Sequence, residues 1–545
     1  MNGFGALNWG IVVAYLVANL ALGAALSRRV TSAQSYALGD KKTPWWAIGI
    51  SVVATYVSAL SFLGGPAWAY GDGMSALAIH INYPLVIFVV ITVFLPFFYN
   101  SGVASIYDYL QKRFGRASRS VMAMLFLVSQ SITAATILTA TAVVITFATG
   151  IDAKLAIAIM SVVVVVYTML GGMTAVIWTD VFQGVILFIG AGVVYANLPS
   201  IFDPVSGALE TLAAADKLNP LNFDLDFSIA PTVWAGVFAM TLFHITVYGA
   251  NQMMVQRTLA ARTIGDAKKS YLLMGYAAFF IYFLFFLIGA LLYVHYDGEP
   301  FDQPNEIILI FAKSLAIPGL MGVLAAAVLS ASMSSLSSAL NSLATITVSD
   351  FYKPMSKVES GHGHFLRASR YATILWAILI VPMAIAFIES KGSILETLSA
   401  VGSYFVGAKL AMFGMGFYSK HTSERGLLVG VVGGFIAIYL FKFGIPESIP
   451  IIGFAPPDIA WPWFVVIGGV GNIIIAWISS ILLDGFQPEW HEYSVPGQIR
   501  RFRESGDAER VDGWYRVPGK VDPSSYGLLA FFALIMVGLY LFGQI

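Results

Sequence analysis

Hydrophobic and polar residues follow one another along this chain in long blocks. Apolar stretches of about twenty residues or more recur fourteen times, at 7–27, 45–70, 75–99, 119–148, 153–171, 176–197, 231–256, 269–294, 318–349, 369–389, 395–418, 423–443, 462–483 and 524–543. Each is long enough to cross a hydrocarbon layer about 30 Å thick as a helix. The pattern predicts an all-α polytopic membrane protein with 14 transmembrane helices. The first stretch is longer than the apolar part of a signal peptide and lacks a small-residue cleavage site, so it reads as a retained span.

The loops after the odd-numbered stretches carry Arg28, Arg29, Lys41, Lys42, Lys112, Arg113, Arg116, Arg119, Arg257, Arg262, Lys268, Lys269, Lys353, Lys357, Arg367, Arg370, Lys420, Arg425, Arg500, Arg501, Arg503, Arg510, Arg516 and Lys520. That is 24 of the 30 basic residues. The positive-inside rule makes this side cytoplasmic and places both termini on the outer face of a plasma (inner) membrane. The gaps are too short for a soluble domain. Residues 484–523 read as a cytoplasmic loop with a short helix, 105–115 as an interfacial helix on the inner face, and 200–228 as an outer loop with an amphipathic patch around Leu209–Leu218.

Composition agrees with the pattern. Of 545 residues, 58% are hydrophobic and only 11% charged, where a soluble domain carries about a quarter charged. Lys and Arg balance Asp and Glu, which excludes a nucleic-acid binder. With no cysteine, there is no disulfide, thiolate metal site or redox motif. Nothing among the spans supplies the paired acids, metal cluster or activated nucleophile that a membrane enzyme needs. A membrane sensor would want a soluble signalling domain, and none is read here.

Candidate chemistry comes from polar residues inside the apolar stretches. The ninth holds Ser330, Ser332, Ser334, Ser335, Ser337 and Ser338. At helical spacing Ala331, Ser334, Ser335 and Ser338 share one stripe, and Ser334, Ser337, Ser338 and Asn341 an overlapping one. Such hydroxyls either serve close helix packing, back-bonding to their own carbonyls, or hold a hard cation such as Na⁺.

The second and seventh stretches are also unusual. The second holds Ser51, Thr55, Ser58 and Ser61 ahead of Gly64, Gly65 and Pro66; the seventh runs from His244 through Gly249 to Asn251 and Gln252. They begin two five-helix sets, 45–197 and 231–418, which enter the membrane from opposite sides and so form a 5+5 inverted repeat. Interrupted helices at matching places in two inverted halves mark a transporter's mid-membrane site; glycine-packed interfaces are the alternative.

Four motifs then converge: Tyr36–Ala47 (YALGDKKTPWWA), Gly171–Gln183 (GGMTAVIWTDVFQ), Asn251–Ala260 (NQMMVQRTLA) and Ser334–Ser342 (SSLSSALNS), the last leading into Ser349–Lys353. In this order they resemble the sodium/solute symporter family, whose members include sodium-coupled galactose, sialic acid, proline and monocarboxylate carriers. The resemblance is strongest over about 36–420 and implies a LeuT-like core, with one extra N-terminal and three extra C-terminal helices, that imports a small organic solute with Na⁺. The partners it implies are a small-molecule substrate, sodium ions and the lipid bilayer, with no obligate protein partner.

Carried over residue by residue, the resemblance implies a main Na⁺ site from the carbonyls of Ala54, Val57 and Ala331 and the hydroxyls of Ser334 and Ser335. It implies a second Na⁺ site from Asp180, Ser337 and Ser338, for which a salt bridge from Asp180 to a loop arginine is the alternative. The substrate pocket implied by family position is lined by Tyr56, Ser58, Ser61, His80, Thr133, His244 and Ser399. This chain has Tyr56, His80 and His244 where galactose carriers have amide and acidic side chains. It has Thr133 where sialic acid carriers have an arginine. Residues 57–66 and Tyr248–Gln252 look closer to the monocarboxylate, vitamin and iodide branch, so the expected substrate is a monocarboxylate or other small organic anion. A sodium/sugar symporter and a proton-coupled carrier of the same fold are the alternatives. Lys409 lies about nine residues inside its stretch with no acid near it in sequence. Snorkelling to the cytoplasm or pairing across the bundle is favoured over contact with an anionic substrate.

Overall fold

The computed structural model of the chain describes residues 4–27, 32–39, 41–102, 105–198, 205–356, 362–388, 394–444 and 456–545. Of the basic set, Arg28, Arg29 and Lys357 lie outside the described residues, as does Asp40 of the first motif. Helix dominates. Among the described residues, eleven helices are long and apolar enough to cross a membrane, and shorter apolar helices run Trp45–Tyr56, Ala153–Met169 and Ala235–Gly249. The polar segment 484–523 folds into the amphipathic helix Val495–Ser505 and a hairpin pairing Arg510–Val511 with Trp514–Tyr515. The segment read as interfacial contains the helix Ile106–Arg113, capped by the Ser105 side chain.

Two apolar stretches break where the sequence places small polar residues. Helix Trp45–Tyr56 stops at Val57 (φ −76°, ψ 89°), and Ala59–Asp72 starts from Ser58, whose hydroxyl accepts from the Leu60 N–H as an N-cap. Helix Met240–Gly249 stops at Ala250 (φ −128°, ψ 28°), and Gln252–Leu259 starts from Asn251, whose side chain accepts from the Met253 N–H. In both pairs a residue that caps helices well lies in mid-stretch, so the chain restarts its hydrogen-bond ladder there.

The fifth and sixth stretches meet without a loop: two helices within Ala153–Asn197 join across a kink at Gly172 (φ 55°, ψ −160°), at the boundary the apolar pattern predicts. A Cβ at Gly172 would lie 2.9 Å from the Tyr36 Cα, so both the backbone angle and the close approach require glycine. Further along, Gly184 and Gly190 let this run press against Ala54 and Ala327; a Cβ at Gly190 would lie 2.4 Å from that of Ala327.

The helix Leu320–Ile346, called the serine helix below, is the centre of the bundle. Every residue from Leu324 to Ile346 is buried. It packs on Ala153–Asn197, Arg116–Thr149, Ala6–Ser27 and His362–Ala386. A helix apolar or small on all faces is buried on all faces, and its hydroxyls then find partners inside the protein. Beyond it, Asp350 is held by Arg119 at 2.6 Å, and Arg119 also reaches Asp108 at 3.0 Å, tying the end of this helix to the interfacial helix.

Candidate functional site

The first break frees carbonyls. In an unbroken helix the N–H groups of Leu60 and Ser61 would bond the carbonyls of Tyr56 and Val57; here they turn to the Ser58 hydroxyl and the Ser58 carbonyl. Ala54 and Thr55 lie in the last turn of their helix, where carbonyls have no intrahelical donor. The serine helix faces this turn directly: Ser335 Oγ donates to the Thr55 carbonyl at 2.7 Å. Ala331 lies one turn earlier on the same stripe as Ser335. Ala54, Val57, Ala331, Ser334 and Ser335 are all buried. Ser334 departs from the implied arrangement. Its hydroxyl donates to Asp180 Oδ1 at 2.7 Å rather than facing the broken turn, because a buried carboxylate draws every donor within reach.

Asp180 is fully buried and its charge is met by the protein. Arg257, also fully buried, places Nη2 3.3 Å from Asp180 Oδ2. Ser51 and Thr55 donate to the same oxygen at 2.5 and 3.2 Å. Arg257 also donates to Ser51 Oγ at 3.0 Å, to Ser338 Oγ and to the Met253 carbonyl at 2.5 Å. Ser337 and Ser338 both donate to the Ser334 carbonyl, at 3.0 and 2.6 Å. The positive partner required by Asp180 is therefore the Arg257 guanidinium, and the hydroxyls implied for a second Na⁺ are engaged. This corrects the placing of Arg257 in a cytoplasmic loop. The short helix after the second break carries it inward, 77 residues away in sequence from the acid it neutralises.

A cavity of about 150 Å³ opens beside the first break. Six of the seven implied substrate residues line it: Tyr56, Ser58, Ser61, His80, Thr133 and Ser399. The hydroxyls of Thr133 and Ser399 bond carbonyls of their own helices, at 3.0 and 2.8 Å, and keep only acceptor capacity. Ser61 Oγ and Tyr282 OH lie 3.1 Å apart, and the Tyr282 ring stacks on His80 at 3.9 Å between centroids. His80 Nδ1 is 2.9 Å from Tyr83 OH, which leaves Nε2 without a partner.

His244 does not line the cavity. Its Nδ1 lies 2.9 Å from Asn82 Oδ1, while Asn82 Nδ2 donates to the Gly236 carbonyl at 2.7 Å. With its amide so oriented, Asn82 accepts from His244, which braces it from behind. Residues not foreseen as lining include Gln130, Asn251, Tyr282 and Lys409. Asn251 had a signal in the sequence, as an N-cap type in mid-stretch. For Lys409 the sequence favours snorkelling or pairing across the bundle, with contact with an anionic substrate as the alternative. Among the described residues it makes neither an ion pair nor a hydrogen bond, so no partner across the bundle accounts for it.

The model of the family described as "Sodium:solute symporter family" matches residues 36–434, well over half of the chain. This protein belongs to that family. The sodium/sialic acid symporter SiaT of Proteus mirabilis is 27% identical over 493 residues, covering 88% of this chain and 96% of that one. Sodium-coupled monocarboxylate transporter 2 of Mus musculus is 27% identical over 435 residues, covering 77% of this chain and 70% of that one. A solved substrate-bound outward-open structure of a Na⁺-coupled sialic acid symporter aligns with TM-score 0.80 and 26% identity, over 89% of this chain and all of that one. A closed structure of Mhp1, a nucleobase-cation-symport-1 transporter, aligns at TM-score 0.54 and 12% identity, a likeness of fold alone. The family is one of multi-pass, sodium-coupled solute transporters rather than enzymes.

Proposed function

We propose that this protein imports a small organic solute together with Na⁺ across the plasma (inner) membrane by alternating access. The observation that carries the reading is the meeting of the broken turn and the serine helix, where Ser335 reaches the Thr55 carbonyl beside the cavity. Carbonyls released by an interruption, with hydroxyls opposite, are the hard uncharged donors that suit an alkali cation at membrane depth. Sodium would sit between the Ala54, Val57 and Ala331 carbonyls and the Ser335 and Ser334 hydroxyls, with Ser334 turning from Asp180 to reach it. A cation between Asp180, Ser337 and Ser338 would have to displace Arg257, so the reading takes the main site as the coupling site.

The matched breaks at Val57–Ser58 and Ala250–Asn251 support two inverted five-helix repeats, 45–197 and 231–418, within fourteen spans of LeuT-like arrangement. The basic-residue bias supports outward termini and a cytoplasmic 484–523 segment. Sodium would bind first and fix the broken turn against the serine helix; rocking of the repeats would then open the cavity inward, where low sodium favours release.

The test is binding of radioactive sodium to the purified protein, with thermal stability read in Na⁺ and in choline at fixed pH. Ser335→Ala removes one ligand and should weaken sodium about tenfold. Equal stability in the two salts, or unchanged sodium binding by Ser335→Ala, would exclude the reading. A stability that instead follows pH in choline would favour proton coupling on the same fold.

A further inference from the structure

Of the side chains lining the cavity among the described residues, Lys409 is the one Lys or Arg, and no Asp or Glu is among them. It comes from the middle of the helix Ile394–Tyr418 and is 8% exposed. An ammonium on a buried side chain, with no acid, hydroxyl or carbonyl partner among the described residues, is costly in a membrane protein. Among the described residues the other buried cations have partners: Arg257 has Asp180, Lys268 has Asp522 at 2.5 Å, and Arg113 has the carbonyls of Gly416 and Ser419. Lys409 differs from these in lining the cavity that Thr55 and Ser335 also line, beside the proposed sodium site.

We propose that Lys409 is the counter-charge for the substrate, and that the cavity takes a small organic monoanion, with its carboxylate on Lys409 Nζ. Asn251 also lines the cavity. Its Oδ1 is occupied by the Met253 N–H at 2.9 Å, so its amide NH₂ remains to donate to the same group. The rest of the molecule would rest on apolar wall from Phe243, Leu398, Val401, Phe405 and Val406. One ammonium matches one carboxylate. A neutral solute would leave Lys409 uncompensated, and a dianion would bring an unmatched charge of its own into a buried site. This inference rests on the transport reading above and goes further by assigning the residue that meets the charge of the small organic anion expected from the sequence.

The experiment uses matched acid and amide pairs on the purified full-length protein: pyruvate and pyruvamide, lactate and lactamide, butyrate and butyramide, nicotinate and nicotinamide, with succinate as a dianion. Thermal stabilisation is titrated in Na⁺ and in choline. At least one monocarboxylate should stabilise the protein where its amide does not. Lys409→Met should weaken that acid about 10- to 100-fold, and Lys409→Arg should recover part of the loss. Ligand-free Lys409→Met should be at least as stable as the parent, because it removes an unpaired buried charge; Lys409→Gln reads the same point if the methionine variant fails to fold. The proposal is overturned if no acid binds, if amides or succinate bind as well as the monoacids, or if Lys409→Met keeps the parent's affinity for the acid. Acid binding that is equal in Na⁺ and choline would instead sink sodium coupling and leave Lys409 standing.

Discussion

Removing Arg257 tests whether the protein itself supplies the charge that Asp180 needs. The two charged atoms are 3.3 Å apart with both side chains fully buried, an attraction of about 5 kcal/mol at an effective dielectric of about 20. Desolvation of the two ions opposes this by several kcal/mol each, so the intact pair is worth little net, whereas deleting one partner strands the other at a cost of about 3–5 kcal/mol. Asp180 would keep hydroxyl donors from Ser51, Thr55 and Ser334, which places Arg257→Met near the lower end, about 3 kcal/mol. Asp180→Asn should also be destabilising, because the guanidinium loses its only acid. The double variant carries neither charge and should cost less than the sum of the singles by about 2–3 kcal/mol. The assay is equilibrium unfolding in mixed micelles, run in Na⁺ and in choline. Arg257→Met should become more steeply sodium-dependent than the parent, since Asp180 then recruits the available hard cation, and the double variant should not. Strictly additive singles, or an Arg257→Met protein as stable in choline as the parent, would refute the reasoning.

Three further outcomes follow from the same geometry. His244→Ala leaves Asn82 Oδ1 without its donor and should cost about 1–3 kcal/mol in unfolding measurements while leaving substrate affinity unchanged; a selective loss of affinity would return His244 to the pocket. Gly172→Ala forces a side chain into a positive-φ position against Tyr36, so the melting temperature should fall by an amount equivalent to more than about 1 kcal/mol, and an unchanged value would mean the bend is not used. With Arg257 neutralising Asp180, one sodium travelling with one monoanion moves no net charge. Proteoliposome uptake should then be insensitive to a potassium–valinomycin potential, and acceleration by an inside-negative potential would reveal an additional cation.

The sequence made the helices and the two breaks legible because both are local. Long apolar blocks can only satisfy their backbone as helix, and Ser58 and Asn251 are capping residue types in places where no helix should end. The serine stripe was legible for the same reason, since residues four apart must share a face. What could not be read was partnership across the bundle. Arg257 lies in a short polar segment that resembles a loop, and nothing in its neighbourhood announces an acid 77 positions earlier. Ser334 was assigned by analogy to sodium, yet its orientation is decided by Asp180 on another helix. His80 and His244 look alike in sequence; only the packing of Asn82 separates a lining residue from a brace. The kink at Gly172 falls where the pattern divides the fifth and sixth stretches, but its positive φ was not legible because a single glycine in an apolar block also fits close packing.

Thr55 shows how ion and solute would influence one another. Its carbonyl accepts from Ser335, its hydroxyl donates to Asp180, and both Thr55 and Ser335 line the cavity. Sodium in the proposed site would compete for the Ser335 hydroxyl, replacing a hydrogen bond worth about 1 kcal/mol with ion contacts shared by two helices. Anything that fixes the broken turn against the serine helix also fixes one wall of the cavity, so the ordering needed by the solute is already made when the ion is bound. A coupling of that kind is reciprocal and typically about 1–3 kcal/mol, or roughly 5- to 150-fold in affinity. The solute must therefore tighten sodium by the same factor that sodium tightens the solute. A shared wall, rather than direct contact between ion and carboxylate, is enough to produce it: Lys409 would hold the charge of one, the broken turn would hold the other, and Thr55 with Ser335 lines the cavity beside that turn.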